Sequence, residues 1–185
     1  MKKELELRMY GLVPYNISPI QQAIQFGHAV VEYGQKFRND NYNDWADNWK
    51  TFIILNGGTT NHKTSLEDGL PFGSLNNHLL TLMDNGVDFA QFNEPDLGDQ
   101  LTAVVFIVDE RVFNKKSYPE FSDWLMSNYG DLIRTELGTT VYNIAENIKK
   151  STNKQDRKVY QEWVTLIGGE KNVFLRDFLK NFRLA

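Results

Sequence analysis

Residues Leu101–Val108 constrain the fold more than any other segment, because every one of them except Thr102 is apolar. A strand of this kind is apolar on both faces, which is typical of a sheet covered on both sides. Three further segments have strand patterns, namely Leu5–Val13, Lys50–Leu55 and Val87–Phe92. With the helical patterns between them, the order is strand, helix, strand, helix, strand, strand. This order predicts an α/β fold, a three-layer sandwich with a mixed four-stranded sheet.

The first predicted helix begins at Ser18 and runs to Phe37 or Arg38. Ser18 is placed to cap it, Pro19 suits its first position, and Gln21 completes a capping box. One apolar stripe, expected to face the sheet, consists of Ile20, Ile24, Gly27 and Val31. The apolar face is widened by Ala23, Phe26, Val30, Tyr33 and Phe37. A polar stripe borders that face and consists of Gln21, Gln25, His28 and Glu32. We expect a site at this border.

A second helix is expected over Ser74–Asn85, and no strand pattern appears after Phe113. Further helices are expected over 117–130, 131–137, 140–150, 155–167 and 170–182. The chain is therefore expected to divide into an α/β domain over 1–112 and a helical C-terminal extension over 113–185. The last helix has a broad apolar face, which belongs either to the core or to a surface for a protein partner or a second copy.

Composition narrows the classes of function. The chain has no cysteine, which excludes a disulfide framework, a thiolate metal site and a cysteine nucleophile. Its net charge of −4 is uneven, with −7 over residues 1–112 and +3 over residues 113–185. The basic tail either meets a polyanion or reflects ordinary surface variation. The first residues lack the apolar core of a signal peptide, and no apolar stretch is long enough to span a bilayer, so we expect a soluble, cytoplasmic protein.

The segment before the strongest strand is acidic, with Glu94, Asp96 and Asp99 close together. Clustered carboxylates supply a general base, bind a hard cation or receive basic side chains. The spacing does not fit an EF-hand loop, so we expect no metal here. The remaining alternative is a solvated acidic turn that Pro95 and Gly98 stiffen.

Two other segments are candidates for chemistry. His28 can act as a general base, and a neighbouring glutamine can orient a water or a carbonyl, although a helical histidine often only binds a backbone carbonyl. The glycine-rich loop Asn56–Asn61 follows a buried strand, where α/β folds often bind ligands, but it lacks the ending of a P-loop. The three histidines, at 28, 62 and 78, lack the spacing of zinc ligands.

A basic cluster lies in the C-terminal region beside two aromatic residues, Tyr160 and Trp163. Its cations are Lys149, Lys150, Lys154, Arg157 and Lys158. Such a set binds RNA through phosphates and stacking, or it is simply the solvated face of two helices.

The segment Asn16–Ala29 resembles the first-helix signature of the type-two peptidyl-tRNA hydrolases, in which Ala23, Gln25, His28 and Ala29 match. That family also has an α/β sandwich with a small mixed sheet. Its acidic, threonine-containing loop precedes the last strand, where this chain has Glu94–Thr102. The resemblance covers residues 5–112. The family's catalytic lysine is replaced here by Gln21, and its aspartate loop by a shorter segment.

The resemblance implies a cleft at the start of the first helix. The expected catalytic residues are Gln21, His28, Glu94, Asp96, Asp99 and Thr102. The expected substrate-binding residues are Asn16, Ser18, Gln25, Asn56, Gly57 and Gly58. One carboxylate orients a water in this scheme, the helix N-terminus at Ser18 holds a phosphate, and no cofactor is implied.

Two functions remain open on the sequence. The first is hydrolysis of the ester that links a peptidyl or aminoacyl group to tRNA, with tRNA or another RNA-linked substrate as the partner. The second is an inactive hydrolase-like scaffold that serves as a binding or protein-interaction module. The second is favoured by Gln21, because an amide offers neither positive charge nor useful acidity at neutral pH.

Overall fold

The computed structural model describes residues 4–60, 73–133 and 140–185. The elements are β1 (Leu7–Pro14), α1 (Pro19–Lys36), α2 (Asp40–Asp44), a π-helical turn (Trp45–Trp49), β2 (Thr51–Gly58), α3 (Ser74–Asp84), β3 (Phe89–Glu94), a 3₁₀ turn (Pro95–Leu97), β4 (Gln100–Asp109), α4 (Glu110–Phe113), α5 (Phe121–Ile133), α6 (Val141–Lys150), α7 (Lys154–Ile167) and α8 (Glu170–Leu179). They form two compact units, the first Met1–Glu110 with Asp177–Ala185 and the second Arg111–Arg176.

The first unit contains a four-stranded sheet in the order β2-β1-β4-β3. β1 is parallel to β2 and antiparallel to β4, and β3 is antiparallel to β4, which confirms the predicted mixed sheet. Leu12 of β1 pairs with Leu55 on one side and Val104 on the other. One end of the sheet therefore collects the C-terminal ends of β1, β2 and β3 and the start of β4.

The sheet is covered on both faces, which confirms the three-layer sandwich. On one face, Phe26 of α1 packs onto Gly11, where an added Cβ would overlap its ring. On the opposite face, Leu75 of α3 packs against Leu12 and Gly57. Phe178 covers the same face beside Phe106, with ring centroids 6.4 Å apart. The strongest predicted strand, β4, is accordingly buried on both sides along most of its length.

The predicted packing face of α1 is wrong in part. Ile20, Ile24 and Val31 are 74%, 48% and 57% exposed, and Gly27 is exposed as well. The residues that α1 buries are Gln25, Phe26, Ala29, Tyr33 and Gly34. Gly11 provides the reason, because its missing side chain leaves room for Phe26 and so sets the rotation of the helix.

Several predicted boundaries also shift. β2 continues to Gly58, so the predicted loop Asn56–Asn61 begins inside the strand, and its last residue, Asn61, lies outside the described residues. β3 begins two residues later than predicted, since the Val87 N–H donates to Leu82 O and belongs to the end of α3. The sequence pattern missed α2 and the π-helical turn. Asn39 begins α2 by accepting a hydrogen bond from the Tyr42 N–H at 3.0 Å.

The second unit is helical, as predicted. Its core is formed by Phe121, Leu125, Ala145, Val159, Trp163, Val164 and Ile167. The predicted helix end at Gly130 is wrong, because α5 continues to Ile133 with a kink at Tyr129. Of the helix expected over 131–137, residues 134–137 lie outside the described residues. Among the residues that the structure covers, no helix is long and apolar enough to cross a membrane.

The last nine residues do not group with the helical unit to which the sequence assigned them. Asp177–Ala185 belongs to the first unit, where Leu184 forms an isolated bridge with Leu55 of β2. Two backbone hydrogen bonds support it, from Asn56 N to Arg183 O and from Ala185 N to Ile54 O. The outer edge of β2 is thus covered in part by this segment, which reduces its unpaired backbone groups.

Candidate active site

The topology of the sheet places most of the predicted site residues at one end of the first unit. The turn that carries Asn16 follows β1, Asn56–Gly58 ends β2, Glu94 ends β3, and Thr102 lies near the start of β4. Since β1 and β2 are parallel and β4 is antiparallel to both of its neighbours, these positions meet at the same sheet end. α1 also begins there, after Ser18.

Gln25 is the centre of a buried hydrogen-bond network at this end. It is 7% exposed although it is polar, so its amide needs partners. Its Nε2 donates to Glu94 Oε2 at 2.6 Å, and its Oε1 accepts from Thr102 Oγ1 at 2.8 Å. Thr102 is fully buried, and its Oγ1 also lies 3.3 Å from Phe92 O. The network therefore ties α1 to β3 and β4 and fixes the position of one carboxylate.

Glu94 is held from two directions and is half-buried. Its second oxygen, Oε1, accepts the Asp96 backbone N–H at 3.3 Å, so both carboxylate oxygens have a donor. An ionised carboxylate has about four lone-pair sites, which leaves acceptor capacity for a water or a substrate hydroxyl. Glu94 is thus the best-positioned carboxylate in this site for a general base.

The other two carboxylates belong to the tight turn between β3 and β4. Asp96 is exposed and contributes its backbone N–H to Glu94. Asp99 has a left-handed backbone with φ of 58°, and its N–H donates to Glu94 O at 3.0 Å. Asn93 Nδ2 donates to Asp99 O at 2.9 Å and closes the turn. This part of the acidic segment shapes the loop that presents the Glu94 carboxylate.

His28 lies one helical turn after Gln25 and is exposed. Its ring is 4.5 Å from the ring of Phe92, at an interplanar angle of 55°. Phe92 precedes Glu94 by two residues on β3. The sequence reasoning did not single out Phe92 or Asn93. The only signal was their place beside the acidic segment.

Gln21 has a different role from the one that its position suggests. Its side chain accepts the Ser18 N–H at 3.1 Å, while Ser18 Oγ accepts the Gln21 N–H at 3.3 Å. This is the predicted capping box, and it is confirmed. The amide of Gln21 is therefore engaged at the start of α1, and it makes no hydrogen bond in the Gln25 network among those described. Ser18 likewise acts as the N-cap of the helix.

The glycine-rich end of β2 is occupied by the fold. Asn56 Oδ1 accepts the Gly58 N–H at 2.8 Å, and Gly58 O accepts the Tyr15 N–H at 3.0 Å.

The space around the two glycines at this end of β2 is also filled. At Gly57, an added Cβ would lie 2.8 Å from Leu75 Cδ1. Gly58 has φ of 84°, and Ser74 fills the space beside it. Asn16, in contrast, is exposed in the turn after β1. These residues border the site, but contacts within the protein account for the backbone of Asn56–Gly58.

The two aromatic residues predicted to lie beside the basic cluster, Tyr160 and Trp163, pack in the core of the second unit. Trp163 is 3% exposed, and its indole N–H donates to Pro119 O at 3.1 Å. Tyr160 packs edge-on against Phe121 at 5.3 Å. Lys149 pairs with Glu146 at 2.7 Å. Both rings therefore contribute to the core, and binding of RNA by the basic cluster stays a prediction.

Across the described ranges, no group of three or more acidic or histidine side chains is close enough to hold a metal ion. The chemistry that this site can perform is that of a carboxylate positioned by an amide and a threonine, beside an exposed imidazole. Comparison with protein-family models and with curated proteins finds no match to this chain.

Proposed function

We propose that this chain hydrolyses the ester linking a peptidyl or aminoacyl group to tRNA, in the manner of the type-two peptidyl-tRNA hydrolases that its first helix resembles. The observation that carries this proposal is the 2.6 Å hydrogen bond from Gln25 Nε2 to Glu94 Oε2. It joins the residues of both matching segments, the helix signature and the acidic loop. A tRNA-linked substrate would place the protein in the cytoplasm.

The proposed reaction uses water as the nucleophile. Glu94 orients a water and takes one of its protons while the water oxygen adds to the ester carbonyl carbon. The bond from that carbon to the ribose oxygen then breaks, and the ribose oxygen takes up a proton. We assign delivery of this proton to His28, since it is exposed beside Phe92 and one turn from Gln25. No cofactor takes part in this scheme.

The N-terminal turn of α1 supports binding of a phosphate. It carries the positive end of the helix dipole, and it contains no acidic residue that would oppose an anion. A phosphate of the tRNA acceptor end is the group that we place near Ser18. The side chain of Gln21 remains in the capping box in this scheme and takes no part in proton transfer.

Turnover of a peptidyl-tRNA by the purified full chain tests this proposal. We expect Glu94→Gln to lower kcat at least about 100-fold, the usual contribution of a general base, and His28→Ala to lower it as well. Asp96→Ala should have a much smaller effect, because Asp96 contributes its backbone N–H. Asp84→Asn, at the exposed end of α3, is the control and should match the unmodified protein. No turnover above a buffer blank in folded protein would overturn the proposal.

The second candidate function is a binding module without hydrolysis, and the engaged amide of Gln21 favours it. The resembling family has a lysine at that position, whose charge meets a phosphate and whose ammonium can donate a proton, whereas Gln21 supplies neither. In this case we expect tRNA to bind, with an affinity that falls as salt rises, and no ester to be cleaved. Fluorescence anisotropy of a labelled tRNA, measured beside the turnover assay, distinguishes the two functions.

A further inference from the structure

A cavity opens between the end of α6 and the start of α7 in the second unit. Its volume is about 390 Å³, which is within the usual range for a small-molecule site. Ile144 and Ile148 form its apolar part, and both also pack against the core of this unit. The rest of its lining is polar and consists of Asn147, Lys150, Ser151 and Asp156. The cavity therefore combines an apolar surface with a few polar groups, as ligand sites do.

Three of the polar side chains in this cavity are not engaged within the described part of the protein. Asn147, Lys150 and Asp156 make no side-chain hydrogen bond and no ion pair among the described residues. The neighbouring Lys149, in contrast, pairs with Glu146 at 2.7 Å. Lys150 and Asp156 carry opposite charges on one cavity, yet they do not form an ion pair with each other. A ligand that has both an anionic group and a hydrogen-bond donor would satisfy both of them.

The surface around the cavity is strongly basic. Residues 149–158 contain five lysines and arginines and one aspartate, a net charge of +4 in a chain whose total is −4. Lys154, Arg157 and Lys158 are exposed at the start of α7. Cations at the N-terminal end of a helix oppose its dipole, so their presence here lowers the stability of α7. The excess of positive charge favours an anionic ligand over a neutral or zwitterionic one such as a free amino acid.

We propose that this cavity binds a nucleotide, either free or as part of an RNA strand. The base packs on the two isoleucines, and its phosphate lies towards Lys150 and the cations of α7. Asp156 accepts a hydrogen bond from the amino group of the base, and Asn147 donates or accepts at the base edge. Adenine, cytosine and guanine carry an amino group, whereas uracil has only carbonyl oxygens, which the carboxylate would repel. The cavity therefore discriminates against uracil.

Isothermal titration calorimetry of the full chain with CMP and UMP tests the site, because these nucleotides differ only in the amino group. We expect UMP to bind at least about tenfold more weakly than CMP. Asp156→Asn should remove this preference, since an amide both donates and accepts, and it keeps the shape of the side chain. Lys150→Gln should weaken the binding of both nucleotides equally. The control is Lys116→Gln, an exposed lysine between α4 and α5, which should leave binding unchanged.

An oligocytidine RNA, measured beside CMP, identifies the source of the nucleotide. If an RNA strand is the ligand, it binds more tightly than CMP, and its affinity falls as salt rises because several phosphates meet the cations of α7. Equal or weaker binding of the strand identifies a free nucleotide. No binding of CMP up to about 10 mM, equal affinity for CMP and UMP, or binding that neither variant changes would overturn the proposal. This inference does not rest on the proposed hydrolase activity, and its assays require no ester cleavage.

Discussion

Gln25 and Glu94 are 69 residues apart in the sequence, yet the Gln25 Nε2 donates to Glu94 Oε2 at 2.6 Å. The same amide accepts from Thr102, so one buried side chain joins a helix to two strands. The hydrogen bonds within this network depend on each other, because removal of any member leaves a buried polar group without its partner.

The network predicts coupling between Gln25 and Thr102. Thr102→Val removes the donor to Gln25 Oε1 and should cost about 1–3 kcal/mol of unfolding free energy. Gln25→Met should cost a similar amount, and the double variant should cost less than the sum. Urea denaturation of the four proteins measures this cycle. Additive losses would show that the hydrogen bond does not contribute to stability.

The close approach of Phe26 to Gly11 predicts opposite effects for two glycine substitutions. Gly11→Ala should destabilise the protein by about 1–3 kcal/mol, since the new methyl group overlaps the Phe26 ring and the Val105 side chain. Gly27→Ala, in open space on the same helix, should stabilise it by up to about 1 kcal/mol. Thermal unfolding of dilute protein compares them. Equal effects would contradict the packing of α1 on β1.

His78 predicts a dependence of stability on pH. Burial lowers the pKa of His78, whose ring lies 4.8 Å from Phe182 and 5.9 Å from Phe178. The unfolded chain therefore binds a proton at His78 more readily than the folded protein does. The contribution of neutral, buried His78 to the free energy of unfolding is complete above the ordinary histidine pKa of about 6.5. It is lost as the pH falls below that value.

Thermal unfolding between about pH 7 and pH 5 measures this effect. The His78→Gln variant should lose less stability over that range than the unmodified protein. If the stabilities of the two proteins differ by the same amount at every pH, the burial of His78 does not cause the loss of stability at low pH.

The buried contacts of Arg176 predict that its replacement strongly destabilises the second unit. It is 3% exposed, and its Nη1 donates to Arg111 O and Tyr118 O at 2.9 Å each. Its Nη2 lies 3.6 Å from Glu120 Oε1. Arg176→Met should cost about 3–5 kcal/mol, because it strands buried acceptors that the guanidinium now satisfies. Arg157→Met, at an exposed position on α7, is the control for urea denaturation and should have little effect.

The sequence predicted the sheet well because hydrophobic pattern and chain order suffice for it. The strand that contains Val104 is apolar on both faces and becomes the buried β4, as expected. The capping box of Ser18 and Gln21 was predictable because it depends on residues three apart. These features are local, or they follow from the general rules of α/β topology.

The rotation of α1 was not predictable in the same way. Periodicity placed Ile20 and Ile24 inward, whereas the structure buries Gln25 and exposes both isoleucines. The buried amide is acceptable only because Glu94 and Thr102, far away in sequence, supply its partners. Hydrophobic periodicity predicts only that apolar residues are buried, and it does not show which distant residues can satisfy a buried polar side chain. The position of Gln25 at the centre of a buried hydrogen-bond network could therefore be recognised only in the folded structure.

The pairing of Leu184 with Leu55 has a consequence for the order of folding during synthesis. The helical unit is an insertion, since the chain leaves the α/β unit after Glu110 and re-enters it at Asp177. The side chain of Phe178, which covers Phe106, leaves the ribosome after all 66 residues of that insertion. The α/β unit can therefore complete its core only after the helical unit has been made, and removal of everything after residue 112 would leave one face of the sheet bare at Phe106.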